Sequence, residues 1–186
     1  AICLLVDGAA ITSQVSLQRT SYGPYARAMV RICKEESFHQ RQGYEIMWRM
    51  TQGTEDQKRM AQDARNRWWY PALMMFGPHD ADSAHSSKSM KWKIKRESND
   101  HLRAKFVNKT IPQAELLGLK VPDVKLIDEA SGIYEHTAIN WEEFWTVVNG
   151  NGPCNKQRIE HHIKAHEDGE WVRKTAIAAD LKHHTN

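Results

Sequence analysis

A break at Tyr22-Gly23-Pro24 divides the first fifty residues into two long helical patterns. Residues 2–18 are predicted to form one helix, and residues 25–52 are predicted to form a second that ends before Gly53. Gly followed by Pro favours a tight turn. Two helices joined by so short a turn run antiparallel and pack side by side. The chain is therefore predicted to begin with a helical hairpin.

The rest of the sequence also favours an all-α fold. A capping-box pattern at Thr54 to Gln57 opens a third helix, and Asn140 precedes a short one. Gly, Pro, Asp and Ser dominate residues 77–89, where we place a domain boundary. The predicted domains are residues 1–77, a helical bundle, and residues 78–186, a mostly helical extension. The remaining predictions are a helix over 99–117, irregular structure over 120–139, a polar last helix opened by Pro153, and strand-like alternation only over Lys91–Arg96.

Composition limits the class of protein. The net charge of +3 is too small to indicate a nucleic-acid binder. The three Cys residues are an odd number without C-x-x-C spacing, which favours reduced thiols in a cytoplasmic protein. The apolar opening stops at Asp7, too short for a transmembrane span, and we find no signal peptide.

Glu36 and His39 have the spacing of a helical metal-binding pair. Side chains three residues apart share one face of a helix. Glu-x-x-His is how helical bundles place a carboxylate and an imidazole on one metal centre. An isolated Glu-x-x-His pair is nevertheless more often a solvated helix face.

Asp7 strengthens the metal interpretation. It precedes residue 22 by 15 positions, and Glu36 and His39 follow that residue by 14 and 17. In an antiparallel hairpin all three lie at nearly one height, roughly 22 Å from the turn. Asp7 also interrupts an apolar run, and a buried carboxylate without a partner is costly. A metal, or a buried Lys or Arg, would satisfy it.

The predicted site has only half of the usual ligands. A four-helix di-metal centre takes one carboxylate from each of two helices and Glu-x-x-His from each of the other two. This chain supplies one helix of each kind. We therefore expect the missing half to precede Ala1, which would make the chain the C-terminal part of a longer protein with little or no iron binding or activity by itself.

Several long strings carry a family resemblance. They are Leu5-Val6-Asp7-Gly8-Ala9-Ala10-Ile11, Lys34-Glu35-Glu36-Ser37-Phe38-His39-Gln40-Arg41-Gln42-Gly43, Trp69-Tyr70-Pro71-Ala72-Leu73-Met74-Met75-Phe76-Gly77-Pro78 and Trp92-Lys93-Ile94-Lys95-Arg96. These strings resemble the catalytic subunits of ring-1,2-phenylacetyl-CoA epoxidase, a multicomponent monooxygenase of phenylacetate catabolism. The resemblance runs from Ala1 to beyond Trp171.

The resemblance implies a ferritin-like di-iron bundle with Asp7, Glu36 and His39 as iron ligands. It implies epoxidation of the aromatic ring of phenylacetyl-CoA with O₂ and electrons from NADPH. A separate reductase subunit with flavin and an iron–sulfur cluster would deliver those electrons. Small accessory subunits and a homologous structural subunit would complete the complex.

The alternative is a non-catalytic, structural ferritin-like subunit, which should have lost one or more of Asp7, Glu36 and His39. Iron storage is disfavoured by the long C-terminal extension.

Two further groups of residues have competing interpretations. Lys93, Lys95 and Arg96 form either a solvated edge or, as the resemblance suggests, a grip on the phosphates of the CoA group. His162 and His166 lie four residues apart but lack a third ligand, so we expect surface histidines. We expect Cys33 and the Trp68-Trp69 pair to pack in the core, or the Trp pair at a subunit interface.

Overall fold

The computed structural model describes residues 1–121, 124–128, 130, 133–136, 138–152 and 154–184, the last four by backbone only. These residues form helices with one small sheet, so the all-α prediction is confirmed. The elements are α1 Ile2–Leu17, α2 Gly23–Thr51, α3 Glu55–Met74, α4 Ser86–Lys91, α5 Asn99–Leu116, β1 Val124–Asp128, β2 Ile133–His136, α6 Trp141–Val148, α7 Asn155–Asp168 and α8 Glu170–His184.

The predicted helical hairpin is confirmed. Tyr22 is extended, with φ −89° and ψ 98°, and Pro24 lies in the first turn of α2, where its missing N–H costs nothing. The backbones of the two helices lie very close together at Gly43. A Cβ added there would lie 2.5 Å from Leu4 N and 2.7 Å from the carbonyl carbon of Cys3. Only glycine permits this separation between the helix backbones.

The turn between α2 and α3 carries the predicted capping box. Gln57 N donates to Thr54 Oγ1 at 3.3 Å, and Thr54 N donates to Gln57 Oε1 at 2.8 Å. Two N–H groups at the start of α3 are thereby satisfied without a helical partner.

The core lies where α1, α3 and α5 meet. The Phe106 ring of α5 stacks on Trp69 at a centroid distance of 5.9 Å and lies 5.5 Å from Phe76. Ala9 of α1 and Leu73 of α3 are fully buried in the same cluster. Burial of these side chains is the main driving force for holding the helices together.

Helix α5 belongs to the same compact unit as the hairpin. Contacts group residues 1–139 into one unit and residues 140–186 into a second. The domain boundary that we predicted between residues 77 and 78 is a different division of the chain, and it stays a prediction. Structurally, the residues beyond 78 supply Phe106 to the core of α1 and α3.

The strand predictions were wrong in two places. Residues 120–139 contain an antiparallel hairpin in which Val124 pairs with His136 and Leu126 with Tyr134. Residues 91–96 form no strand, because Lys91 ends α4 and Lys93 adopts a left-handed φ of 58°. Ser89 O then accepts hydrogen bonds from Ile94 N and Lys95 N, so the segment is a helix terminus.

The second unit contains α6, α7 and α8. Asn140 caps α6 by accepting a hydrogen bond from Glu143 N at 3.1 Å, as predicted. Pro153, predicted to open the last helix, lies outside the described residues. The polar C-terminal segment forms two helices that divide at Gly169. In the described part of the chain, no helix combines the length and apolar character needed to cross a membrane.

Candidate metal centre

The three predicted ligands meet where α1 and α2 lie side by side. Asp7 of α1 faces Glu36 and His39 of α2, and one donor atom from each lies within 4.8 Å of the others. Counting residues from the turn predicted this common height, and the structure brings all three together. Among the residues that the structure describes, no second group of three potential ligands is found.

The cluster lies at the edge of the buried face. Asp7 and Glu36 are half-buried and His39 is exposed. The apolar run around Asp7 indicated full burial, which the structure does not support. Leu4, Gly8 and Ile11 form the centre of the buried stripe, and Asp7 lies beside it. Asp7 is therefore half-buried at the edge of the apolar packing.

Glu36 and His39 lie close together but are not hydrogen-bonded to each other. Glu36 Oε2 and His39 Nδ1 are 3.8 Å apart, beyond hydrogen-bond distance. Ser37, between them in sequence, donates to the Cys33 carbonyl one turn earlier at 2.7 Å. The carboxylate and imidazole thus share one helix face with their donor atoms available to a third group.

The donor set fits a metal ion. Two carboxylates and one imidazole are typical of the carboxylate-rich centres of helical bundles. The donor atoms already lie near the spacing of ligands around an ion, and the helices that carry them are fixed by backbone contact at Gly43. Sequence reasoning missed the role of Gly43, although a glycine inside a long helix, four residues after His39, is a recognisable signal.

The predicted phosphate-binding residues make contacts of their own. Arg96 Nε donates to the Arg19 carbonyl at 2.5 Å, and Ser21 N donates to the Lys93 carbonyl at 2.9 Å. Ser21 Oγ also donates to the carbonyl of Trp92 at 2.8 Å. This segment therefore lies against the turn between α1 and α2.

Lys95 points inward from that segment. Its Nζ donates to Asn99 Oδ1, and it lines a cavity of about 300 Å³ with Ser16 and Phe76 among the other wall residues. Desolvation lowers the pKa of Lys95, although the nearby carboxylates of Asp80 and Asp100 oppose that shift. Of the three predicted residues, Lys95 has the most enclosed surroundings, whereas Lys93 and Arg96 are exposed.

The remaining predicted features are structural. Cys33 and Trp69 are buried, as expected for core residues, and Trp68 is half-buried against the same cluster. His162 and His166 are exposed on α7.

A helix carrying a carboxylate beside a helix carrying Glu-x-x-His defines a class: the helical bundles with carboxylate metal centres. The chain also matches the family model described as "Phenylacetic acid catabolic protein" over residues 1–171. It belongs to that family, and its helical structure fits the family's ferritin-like fold. The family resemblance inferred from the sequence strings is therefore confirmed.

A curated relative carries a more specific name. The chain is 59% identical over 181 residues to the A subunit of 1,2-phenylacetyl-CoA epoxidase from Escherichia coli (strain K12). The match covers 97% of this chain and 59% of that protein. The chain thus spans about three-fifths of the length of the relative. The comparison does not establish that it is a C-terminal part, and that statement stays a prediction.

Proposed function

We propose that this chain provides the metal-binding helices of the catalytic subunit of a di-iron monooxygenase. The reaction would be epoxidation of the aromatic ring of phenylacetyl-CoA with O₂ and electrons derived from NADPH. The relative's name and the family support this reaction. The observation that carries the proposal is the convergence of Asp7, Glu36 and His39.

Each side chain has a distinct part in the proposed centre. The carboxylates of Asp7 and Glu36 would offset the charge of iron and could bind through one oxygen or two. The imidazole of His39 is a neutral ligand, which keeps the centre from becoming too anionic. Iron held there would supply the redox chemistry that O₂ activation needs. Because a four-helix di-metal centre uses carboxylates and Glu-x-x-His pairs from four helices, further ligands would have to come from outside this set.

A non-catalytic structural subunit is the alternative. Such a protein has no need for a complete set of ligands and should have lost at least one of them. All three residues are present and their donor atoms converge. This retention favours the catalytic role.

The catalytic role requires partners and other cofactors. We propose a homologous structural ferritin-like subunit, small accessory subunits, and a reductase subunit that carries flavin and an iron–sulfur cluster and takes electrons from NADPH. The relative is named as one subunit of its epoxidase, which supports an assembly of several chains. The free thiols of Cys3, Cys33 and Cys154 support a cytoplasmic location.

We also propose that Lys93, Lys95 and Arg96 bind the phosphates of the CoA group. Lys95 offers an ammonium beside a cavity, and Lys93 and Arg96 lie exposed on the same short segment. Arg96 uses only its Nε on the Arg19 carbonyl in the hydrogen bond described above. Its terminal nitrogens would be the groups that contact a phosphate.

Metal content tests the main proposal. We expect about two irons per full-length protein that carries this chain, because the bundle class binds two. His39→Ala should reduce that content sharply by removing the one nitrogen donor of the cluster. His162→Ala removes an exposed histidine of α7 and should leave it unchanged. A full-length protein without iron would instead support the structural alternative.

A further inference from the structure

Gln40 occupies the space directly over Gly8. A Cβ added at Gly8 would lie 2.7 Å from Gln40 Nε2 and 3.5 Å from Cε2 of Phe106. Gly8 follows Asp7 in α1, and Gln40 follows His39 in α2. The amide is thus packed against the one residue of α1 that leaves room for it, one position from a predicted ligand on each helix.

Lys109 of α5 holds the other end of the same amide. Its Nζ donates to Gln40 Oε1 at 3.3 Å. Within the described residues, Lys109 forms no ion pair, and its ammonium group contacts the Gln40 amide instead. Desolvation lowers the pKa of Lys109, although much of its side chain is exposed. The contact therefore partly withdraws the ammonium from water.

Three helices meet at this point. Phe106, one turn before Lys109 in α5, is fully buried beside Gly8. Helix α5 thus anchors the amide through Lys109 and also packs against α1. A rotation of α2 about its axis would pull Gln40 off Gly8 and away from Lys109.

We propose that Gln40 and Lys109 are positioning residues for the metal centre. Their hydrogen bond fixes the rotation and height of α2 relative to α1, and so aims His39 and Glu36 at Asp7. This inference rests on the proposed metal-binding function. Neither residue is itself a ligand.

The role follows from how metal ligands are held. Groups behind the ligands orient them, and loss of such a group typically lowers metal affinity about 10- to 100-fold. His39 is exposed, so little packing holds it from the solvent side. Contacts on the buried side of α2 must then hold the helix face that carries His39.

The experiment uses the full-length protein with Co²⁺ as the probe, because its visible absorption reports ligand geometry. Gln40→Leu and Lys109→Met should each lower Co²⁺ affinity about 10-fold or more and change the absorption spectrum. The double variant should be little worse than either single one, because both act through one hydrogen bond. Gln40→Glu keeps the length and an acceptor for Lys109, so it should retain most of the affinity.

Matched controls exclude a general loss of stability. Gln42→Leu changes an exposed residue of α2, and Lys105→Met removes an exposed lysine of α5 that pairs with Glu97. Neither should change Co²⁺ affinity or the spectrum. Thermal unfolding of every variant is measured alongside.

The outcomes separate the two proposals. If the unsubstituted protein binds Co²⁺ and the variants at 40 and 109 bind it equally well with the same spectrum, the positioning role is refuted and the metal site stands. If affinity falls equally in the controls, or strictly follows the melting temperature, the role is again refuted. An unsubstituted protein that binds no metal would overturn the proposed function and this inference together.

Discussion

Replacing Gly43 with Ala should push α1 and α2 apart about one helical turn from the candidate metal centre. The new Cβ would lie 2.5 Å from Leu4 N and 2.8 Å from Cys3 Cβ, whereas ordinary contacts begin at 3.4 Å. The nearest atoms belong to the backbone and cannot rotate away. The helices must therefore separate by about 1 Å, the difference between the required and available distances.

The energetic cost has two opposing parts. Overpacking of a close contact costs about 1–3 kcal/mol. Alanine in a helix is more favourable than glycine by about 1 kcal/mol, which offsets part of that cost. We expect a net loss of about 0–2 kcal/mol in the free energy of unfolding. Metal affinity should be more sensitive than stability to this separation of the helices. Gly43 lies only about one turn, roughly 6 Å, from His39, so the shift would move a predicted ligand.

Chemical denaturation and metal titration of the full-length Gly43→Ala variant measure both effects. We expect metal affinity to fall about 10-fold or more, as for other displaced ligands. Gly23→Ala is the matched control, because its new Cβ would meet only the flexible end of Arg27, at 3.3 Å. Unchanged stability and unchanged metal affinity in Gly43→Ala would refute the argument that backbone contact at Gly43 sets the ligand geometry.

Two further predictions concern the segment between α3 and α5. Asp80 accepts hydrogen bonds from Asn99 N and Asp100 N, at the start of α5, and from Ser86 Oγ. Desolvation raises the pKa of Asp80, but hydrogen bonds from Ser98, Asn99, Ser86 and Asp100 outweigh it and hold that pKa well below its ordinary 3.8. Its stabilising effect is therefore present above about pH 4 and is lost as the pH falls below that value. Asp80→Asn should cost about 1 kcal/mol at pH 7 in urea denaturation, with the gap to the parent narrowing below about pH 4, and a gap independent of pH would contradict this. For the proposed binding of the CoA phosphates, Lys95→Gln should raise KM for a CoA thioester about 10- to 150-fold, the equivalent of one hydrogen bond to a charge at ~1.5–3 kcal/mol, with kcat little changed. Lys91→Gln is the control, and a large loss of kcat at constant KM would exclude a binding role.

Local patterns predicted the hairpin and the proximity of Asp7, Glu36 and His39. The turn at Tyr22-Gly23-Pro24 and a fixed rise per residue were enough to place Asp7 opposite Glu36 and His39. The capping residues Thr54 and Asn140 were also recognisable, because a cap acts within four residues.

Features that depend on distant residues were not predictable in this way. The Gln40 amide accepts a hydrogen bond from Lys109, which lies 69 positions later on α5. Polar and apolar residues alternate over Lys91–Arg96 as in a strand. In the structure, however, this segment ends α4 and contacts Arg19 and Ser21. The strand at 124–128 lacks a regular alternation of buried and exposed residues, and the strand at 133–136 alternates over only four residues, so their pairing was missed.

The close helical hairpin also bears on how the site is assembled during folding. Asp7 and Glu36 are 29 positions apart in the chain, whereas Gly8 and Phe106, which pack together in the core, are 98 apart. Closing the shorter segment costs about 1 kcal/mol less chain entropy. Docking of α5, which carries Phe106 and Lys109, requires closure of the longer segment. This difference favours closure of the hairpin first, so that Asp7, Glu36 and His39 become neighbours before α5 docks.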